Sequence, residues 1–256
     1  MGLRINHAEV LRLLSPERIE RYRTAAGVAT DEEVLRQYTT QIHKQGELWA
    51  FIGGVEVILR NAMHQELTKK YGNWYENEDF IQIISEGRHK SGSCKDKRRE
   101  DMSRKNLENA IRKSERDIRN KNKGSSRKGR LDGVHTEVSP GHVVANLSLG
   151  FWRALLSSKH DVSLWTPCLH RAFKKKVNRS DVYKKVGAVW AARNRIGHHE
   201  YIDNFKEVLD MGSDLVGYIS PDGESWVKEI GEVRWKDYLG KDASFKASRH
   251  QSGVPR

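Results

Sequence analysis

The sequence predicts an all-α fold with a helical-bundle core, and three observations carry that expectation. Apolar residues recur at helical spacing in one segment after another. Helix-start signals stand in front of several of those segments, and no convincing series of alternating strands appears. The chain has 256 residues, ample for a buried core. The expected organisation is one helical domain over residues 1–240 with a basic helical insertion at about 88–130, then a flexible tail over 241–256.

The elements follow in order. Ser15-Pro16 is an N-cap with proline at the first helical position. Thr30-Asp31-Glu32-Glu33 forms a capping box, with Val34, Tyr38 and Ile42 following at helical spacing. This helix is expected to reach Tyr71 and stop at Gly72, with Gly53-Gly54 as a point where it kinks or splits. Leu107, Ile111, Ser114 and Ile118 give an amphipathic helix, and its flanks "EGRHKSGSCKDK" and "NKGSSRKGR" read as mobile loops. Ser139-Pro140 opens a helix with Val144, Leu147, Phe151 and Leu155 on one face. Thr166-Pro167 and Ser180-Asp181 read as two more starts. "NFKEVLDMGSDLVGYI" is again helical, and "PDGESW" reads as a turn.

Composition narrows the function classes. Hydrophobic residues make up 37% and charged residues 31%, polar for a globular chain but not a disordered polyelectrolyte. Cys94 and Cys168 stand far apart without a CxxC partner, which argues against a disulfide scaffold or a cysteine zinc site. The N-terminus lacks the pattern of a signal peptide, and no apolar run approaches the roughly 18 residues of a membrane span. The expectation is a cytoplasmic protein.

Net charge is +12, and nearly all the excess sits in one block. From Arg88 to Arg130 there are 17 Lys and Arg against 6 Asp and Glu, a net of +11. Such a block favours a polyanion, because neutralising phosphates releases condensed counterions. Lys97, Arg98, Arg99, Arg104, Lys105, Arg112, Lys113 and Arg119 are the candidate RNA contacts.

Two constellations carry chemistry. In "WAARNRIGHHEYI", Arg193 falls on the seam defined by Val182, Val186, Val189 and Ile196, where an unpaired guanidinium is costly. Arg193 and His198 lie about 140° apart around an ideal helix, so they converge only if the helix ends or bends at Gly197, or if a second copy supplies the partner groups. The stretch also reads as a helix C-terminus with histidines at the negative end of the dipole. The second constellation is the stripe Glu56, Arg60, His64 on a helix that is apolar elsewhere; Arg60-Asn61 repeats the Arg-Asn pair of Arg193-Asn194. His198-His199-Glu200 lacks a third metal ligand, and no zinc, phosphate-loop or nucleophile-elbow motif is present, so neither metal nor cofactor is assigned.

Arg193-Asn194-x-x-x-His198 resembles the Arg-x4–6-His motif of the HEPN superfamily of helical ribonucleases. With "VEVILRNAMHQEL" and "NLSLGFWRALL" before it in order, the chain is similar to the Abi-like, or abortive-infection, branch of that superfamily. The resemblance implies an HEPN-like bundle and a metal-independent endoribonuclease, usually a homodimer with two motifs facing across a shared cleft. It also implies a phage-defence or toxin role, with RNA as substrate and an inhibitory RNA or protein antitoxin as a further partner. RNA carries its own nucleophile, the 2′-hydroxyl, so the protein need supply only proton transfer and charge stabilisation. On this reading His198, or His199 in its place, moves the proton and Arg193 holds the scissile phosphate. Asn194 orients one of them, and Glu56, Arg60 and Asn61 support the site. The alternative is a non-catalytic RNA-binding protein.

Overall fold

The structure, a computed structural model, describes residues 5–27, 30–85, 94–127 and 138–231, with the side chains at 25–26, 94–102 and 121–127 excepted. Among the described residues every regular element is helical. The order is α1 (His7–Leu13), α2 (Pro16–Ala26), α3 (Asp31–Tyr71), α4 (Glu78–Ser85), α5 (Cys94–Arg127), α6 (Pro140–Asn146) and α7 (Leu149–Leu155). Three short helical turns follow at Ser158–His160, Asp161–Trp165 and Leu169–Ala172. Then come α8 (Arg179–Gly197), α9 (Phe205–Ile219) and a last helix, α10, at 221–231.

Helix α3 is the axis of the fold. Its 41 residues extend for about 60 Å. Thr30 Oγ1 accepts the Glu33 N–H at the start, and Gly72 takes a left-handed φ of 63° at the stop. The helix runs unbroken through Gly53-Gly54. Packing outweighs the roughly 1 kcal/mol that each glycine costs a helix: Gly54 faces Trp226, Val227 and Ile230 of α10.

One core surrounds the second half of α3. Leu48, Phe51, Ile52, Val55, Leu59, Met63 and Leu67 pack with Phe151, Trp152 and Leu155 of α7, Val182, Val186 and Val189 of α8, and Val208, Leu215 and Val216 of α9. At the α3–α9 crossing a Cβ on Gly212 would stand 2.6 Å from Phe51 Cε1, so only glycine allows this approach. A smaller cluster of Leu11, Ile19, Tyr22, Val34 and Tyr38 joins α1 and α2 to the start of α3, with Tyr201 packed beside it.

Several local expectations are corrected. Ser15 has a φ of 69° and makes no side-chain cap, although Pro16 does open α2. Residues 94–97 and 122–127, expected in loops, belong to α5. The apolar seam there is Leu107, Ala110, Ser114 and Ile118, with Ile111 only partly buried. The segment opened by Ser139-Pro140 is two helices, because Leu147 is extended and Ser148 recaps the chain by accepting the Phe151 N–H. Thr166-Pro167 starts no α-helix, since the Cys168 N–H and thiol both turn back to the Leu164 carbonyl. Helix α8 begins at Arg179 rather than Ser180, with Arg179 Nη1 anchored 2.7 Å from the Leu156 carbonyl. "PDGESW" is the first part of α10: Pro221 opens the helix and Ser220 Oγ accepts the Gly223 N–H. The expected tail from residue 241 lies outside the described residues.

Candidate active site

Arg193 is brought to α3. The buried face of α8 runs through Val182, Val186, Val189, Ala192 and Ile196, so Ala192 takes the seam position expected for Arg193. Displaced by one residue, Arg193 is half-buried at the seam's edge. Its Cζ lies 5.4 Å from the centre of the Trp49 ring, a cation–π contact, and its charge acts on Glu56. Trp49 and Glu56 stand two helical turns apart on α3, so the guanidinium bridges α8 to one flank of that helix.

The stripe Glu56, Arg60 and His64 is half-buried along its length. Burial pushes the Glu56 carboxyl above its ordinary range, against the opposing pull of Arg193, Arg60 and the Leu149 N–H. Leu149 is the first residue of α7, so Glu56 satisfies a helix N-terminal donor while facing two guanidinium groups. Arg60 Nε is buried without a hydrogen-bond partner among the described residues. At the third position His64 Nδ1 accepts the indole N–H of Trp74 at 2.9 Å, and burial lowers its pKa. That bond fixes the tautomer: Nδ1 is the acceptor and the proton sits on Nε2.

The histidine pair stands at the other end of the motif. Gly197 is the last residue of α8, His198 its cap, and His199 adopts a left-handed φ of 54°. The His199 N–H bonds the Ile196 carbonyl and the Glu200 N–H bonds that of Arg195, which together form a Schellman turn. Histidine therefore occupies the place where glycine is usual. Two buried glutamines on α3 hold the exit: Gln45 Nε2 donates to the Glu200 carbonyl at 2.6 Å, and Gln41 Nε2 to that of Ile202. Tyr201 then packs edge-on against Tyr22, and Arg21 lies over it. His198 and His199 are both exposed. Among the described residues nothing joins Arg193 to either histidine, so one chain assembles the arginine with the α3 stripe and leaves the imidazoles at the helix end.

The remaining candidates divide simply. Asn194 is half-buried and its carbonyl accepts the His198 N–H, whereas Asn61 is exposed. Arg104, Lys105, Arg112, Lys113 and Arg119 are exposed along α5, and Arg104 pairs with Glu108 at 2.9 Å. Lys97, Arg98 and Arg99 are in the helix with their side chains outside the described set. A shallow groove of about 360 Å³ between α5 and α6, lined by Ser114, Asp117, Ile118, Asn120, His142, Ala145 and Asn146, adjoins this basic helix rather than Arg193. No group of three His, Cys, Asp or Glu among the described residues is arranged to hold a metal ion, and no helix there is long and apolar enough to cross a membrane.

Sequence reasoning missed Trp49, Gln41, Gln45 and Trp74. Gln41 and Gln45 carried a signal, two amides four residues apart inside a helix that buries its neighbours; Trp49 carried none, since tryptophan on a core helix is ordinarily core. No family model, curated protein or solved structure matches this chain.

Proposed function

We propose that the protein is an endoribonuclease of the HEPN type, in which Arg193 holds the scissile phosphate and His198 or His199 transfers the proton. The observation that carries this reading is the setting of Arg193: a guanidinium set over an aromatic face and within the field of a carboxyl, which also feels a second guanidinium whose Nε is buried without a partner among the described residues. Such a site attracts an anion and offers planar donors where phosphate charge develops. The reaction needs no resident metal, because the 2′-hydroxyl attacks the adjacent phosphorus and leaves a 2′,3′-cyclic phosphate and a 5′-hydroxyl.

A homodimer completes the site on this reading. Beside the Glu56–Arg60 stripe, α3 carries an apolar row at helical spacing, Ile42, Gly46, Trp49, Gly53 and Val57. Ile42, Trp49 and Val57 are 47%, 44% and 39% exposed, and among the described residues nothing stands within 4 Å above either glycine. Large exposed apolar residues with open glycines between them suit close helix–helix approach by a second copy. Trp49 belongs both to this row and to the Arg193 contact, so a partner seated here brings its own histidines toward the arginine. A role in phage defence, and restraint by an antitoxin or RNA, belong to the same reading through the sequence resemblance.

The test is incubation with total cellular RNA in EDTA, wild type beside Arg193→Ala, with mapping of the new ends. Cyclic phosphate and 5′-hydroxyl ends that depend on Arg193 support the proposal. Salt-dependent RNA binding with no cleavage under any condition favours a non-catalytic RNA-binding protein instead.

A further inference from the structure

One basic side chain outside the predicted site is built into the fold with unusual care. Arg153, in the last turn of α7, places its Cζ 4.4 Å from the centre of the Tyr183 ring and 5.0 Å from that of Trp190. Those rings stand two turns apart on α8, with Gly187 between them. A Cβ at 187 would lie 3.3 Å from Arg153 Nε and 3.5 Å from Nη2, so the guanidinium rests edge-on against bare backbone. Its Nε is buried without a hydrogen-bond partner among the described residues. Gly150 lets the second ring close in, because a Cβ there would sit 3.1 Å from Trp190 Nε1.

The two rings and the Gly187 backbone take up the Nε side of the guanidinium, and among the described residues no hydrogen bond or ion pair engages its Nη groups. Among the described residues no carboxylate pairs with Arg153, whereas Asp181 accepts from Tyr218, Asp161 faces Arg179 and Asp214 pairs with Lys185. A half-buried cation with fixed geometry and no carboxylate of its own is a site for an external anion. Base stacking on these two rings is blocked by the guanidinium itself, so recognition is of phosphate and not of a base. From Gly187 to Arg193 is six residues of α8, about 9 Å along its axis and about 120° around it, so the two guanidinium groups meet different flanks of the helix.

The geometry points to Arg153 as a phosphate-binding residue for a single-stranded nucleic acid, gripping a backbone phosphate on a flank of α8 other than the one that carries Arg193. This rests on the nuclease reading above and adds to it a contact that is indifferent to sequence. It also extends the RNA path from the basic helix α5 to the junction of α7 and α8.

The experiment measures binding of a short, mixed-sequence 2′-O-methyl strand, which cannot be cleaved, to the full chain across a salt series. Arg153→Gln weakens binding at low salt by about tenfold, as expected for loss of a charge-assisted bond. It also lowers the slope of log affinity against log salt by about 0.7, the share of one phosphate on a single strand. A deoxy strand of the same sequence loses the same factor, because the contact reads neither the 2′ position nor the base. Inorganic phosphate at matched ionic strength does not reproduce the difference between wild type and variant. Gly187→Ala is the second variant: its methyl presses on Nε and Nη2 while alanine favours the helix, so melting temperature holds or rises as affinity falls severalfold. An Arg153→Gln protein that melts earlier yet keeps wild-type affinity and salt slope overturns the inference, since the residue then only clamps α7 to α8. A wild type that binds the strand at no salt concentration overturns the nuclease reading along with it, whereas cleavage that depends on Arg193 with no effect of Arg153 sinks this inference alone.

Discussion

The two long helices handle charge in opposite ways. Helix α5, 34 residues long, carries Arg104, Lys105, Arg112, Lys113, Arg116 and Arg119 on exposed positions and touches the core through Leu107, Ala110 and Ile111. Helix α3, 41 residues long, lines the core from Leu48 to Leu67 and keeps Glu56, Arg60 and His64 half-buried beside it. Net charge identifies α5 and would direct any search for function there. Burial identifies α3, because a few charges kept out of bulk water need partners and act strongly on what enters beside them. Charge density says what class of partner comes near; desolvated charge says where chemistry is done.

The comparison is broken or sharpened by five tests, taken from the largest expected effect to the smallest. Phe51→Ala on α3 empties a fully buried site against Gly212 and is expected to cost about 3–5 kcal/mol, against about 2 kcal/mol for Leu107→Ala on α5. Urea unfolding of both variants checks this, and equal losses would make α5 as much a part of the core as α3. Arg193→Ala is expected to slow RNA cleavage by about a hundred- to a thousandfold, as loss of a transition-state donor does. Joint neutralisation of Arg104, Arg112, Lys113 and Arg119 should lower the salt slope of RNA binding and leave the rate at saturating RNA nearly unchanged. A reversal of those two outcomes, read in a cleavage time course, would move the active site to α5.

Acid titration separates the helices again. Burial lowers the pKa of His64 on α3 and, more strongly, that of His160 between α7 and α8, to about 3. Both are held neutral in the fold, so below about pH 6.5 the unfolded chain binds more protons than the native one. Their contribution to stability is complete above that pH and is lost as the pH falls, for His160 down to about 3. His160→Gln should flatten the acid limb of stability measured by urea midpoint against pH, and an unchanged limb would assign it to other groups. Helix α5 contains no histidine and so has no counterpart to this effect. The smallest effect is expected from His199→Gly, which relieves a left-handed φ and should stabilise the fold by about 1 kcal/mol in the same assay. Destabilisation would show that the imidazole repays its strained backbone by a contact in the assembled protein.

Much of this molecule was legible beforehand, for reasons that differ by element. Helix α3 was readable from Thr30 to Gly72 because its cap, its periodicity and its stop are all local signals. Glu56, Arg60 and Arg193 were singled out because charge on an apolar helix is conspicuous in one dimension. The turn expected at "PDGESW" failed where proline and aspartate, equally at home in a turn and in a first helical turn, were resolved by Trp226, Val227 and Ile230 packing on α3. Arg193 was placed on the seam because helical spacing allows steps of three or four, and only the packed neighbour decides between Ala192 and Arg193.

The sequence by itself determined the helical class, the long central helix, the basic segment and the identity of the polar groups that do not belong in a core. These follow from periodicity and capping, which act over a few residues. Tertiary structure alone decided that Trp49 and Glu56 receive Arg193, that Gln41 and Gln45 pin the turn after His199, and that Tyr183, Gly187 and Trp190 enclose Arg153. Each of those contacts joins residues far apart along the chain, and no local rule of backbone or side chain encodes which distant partner will arrive.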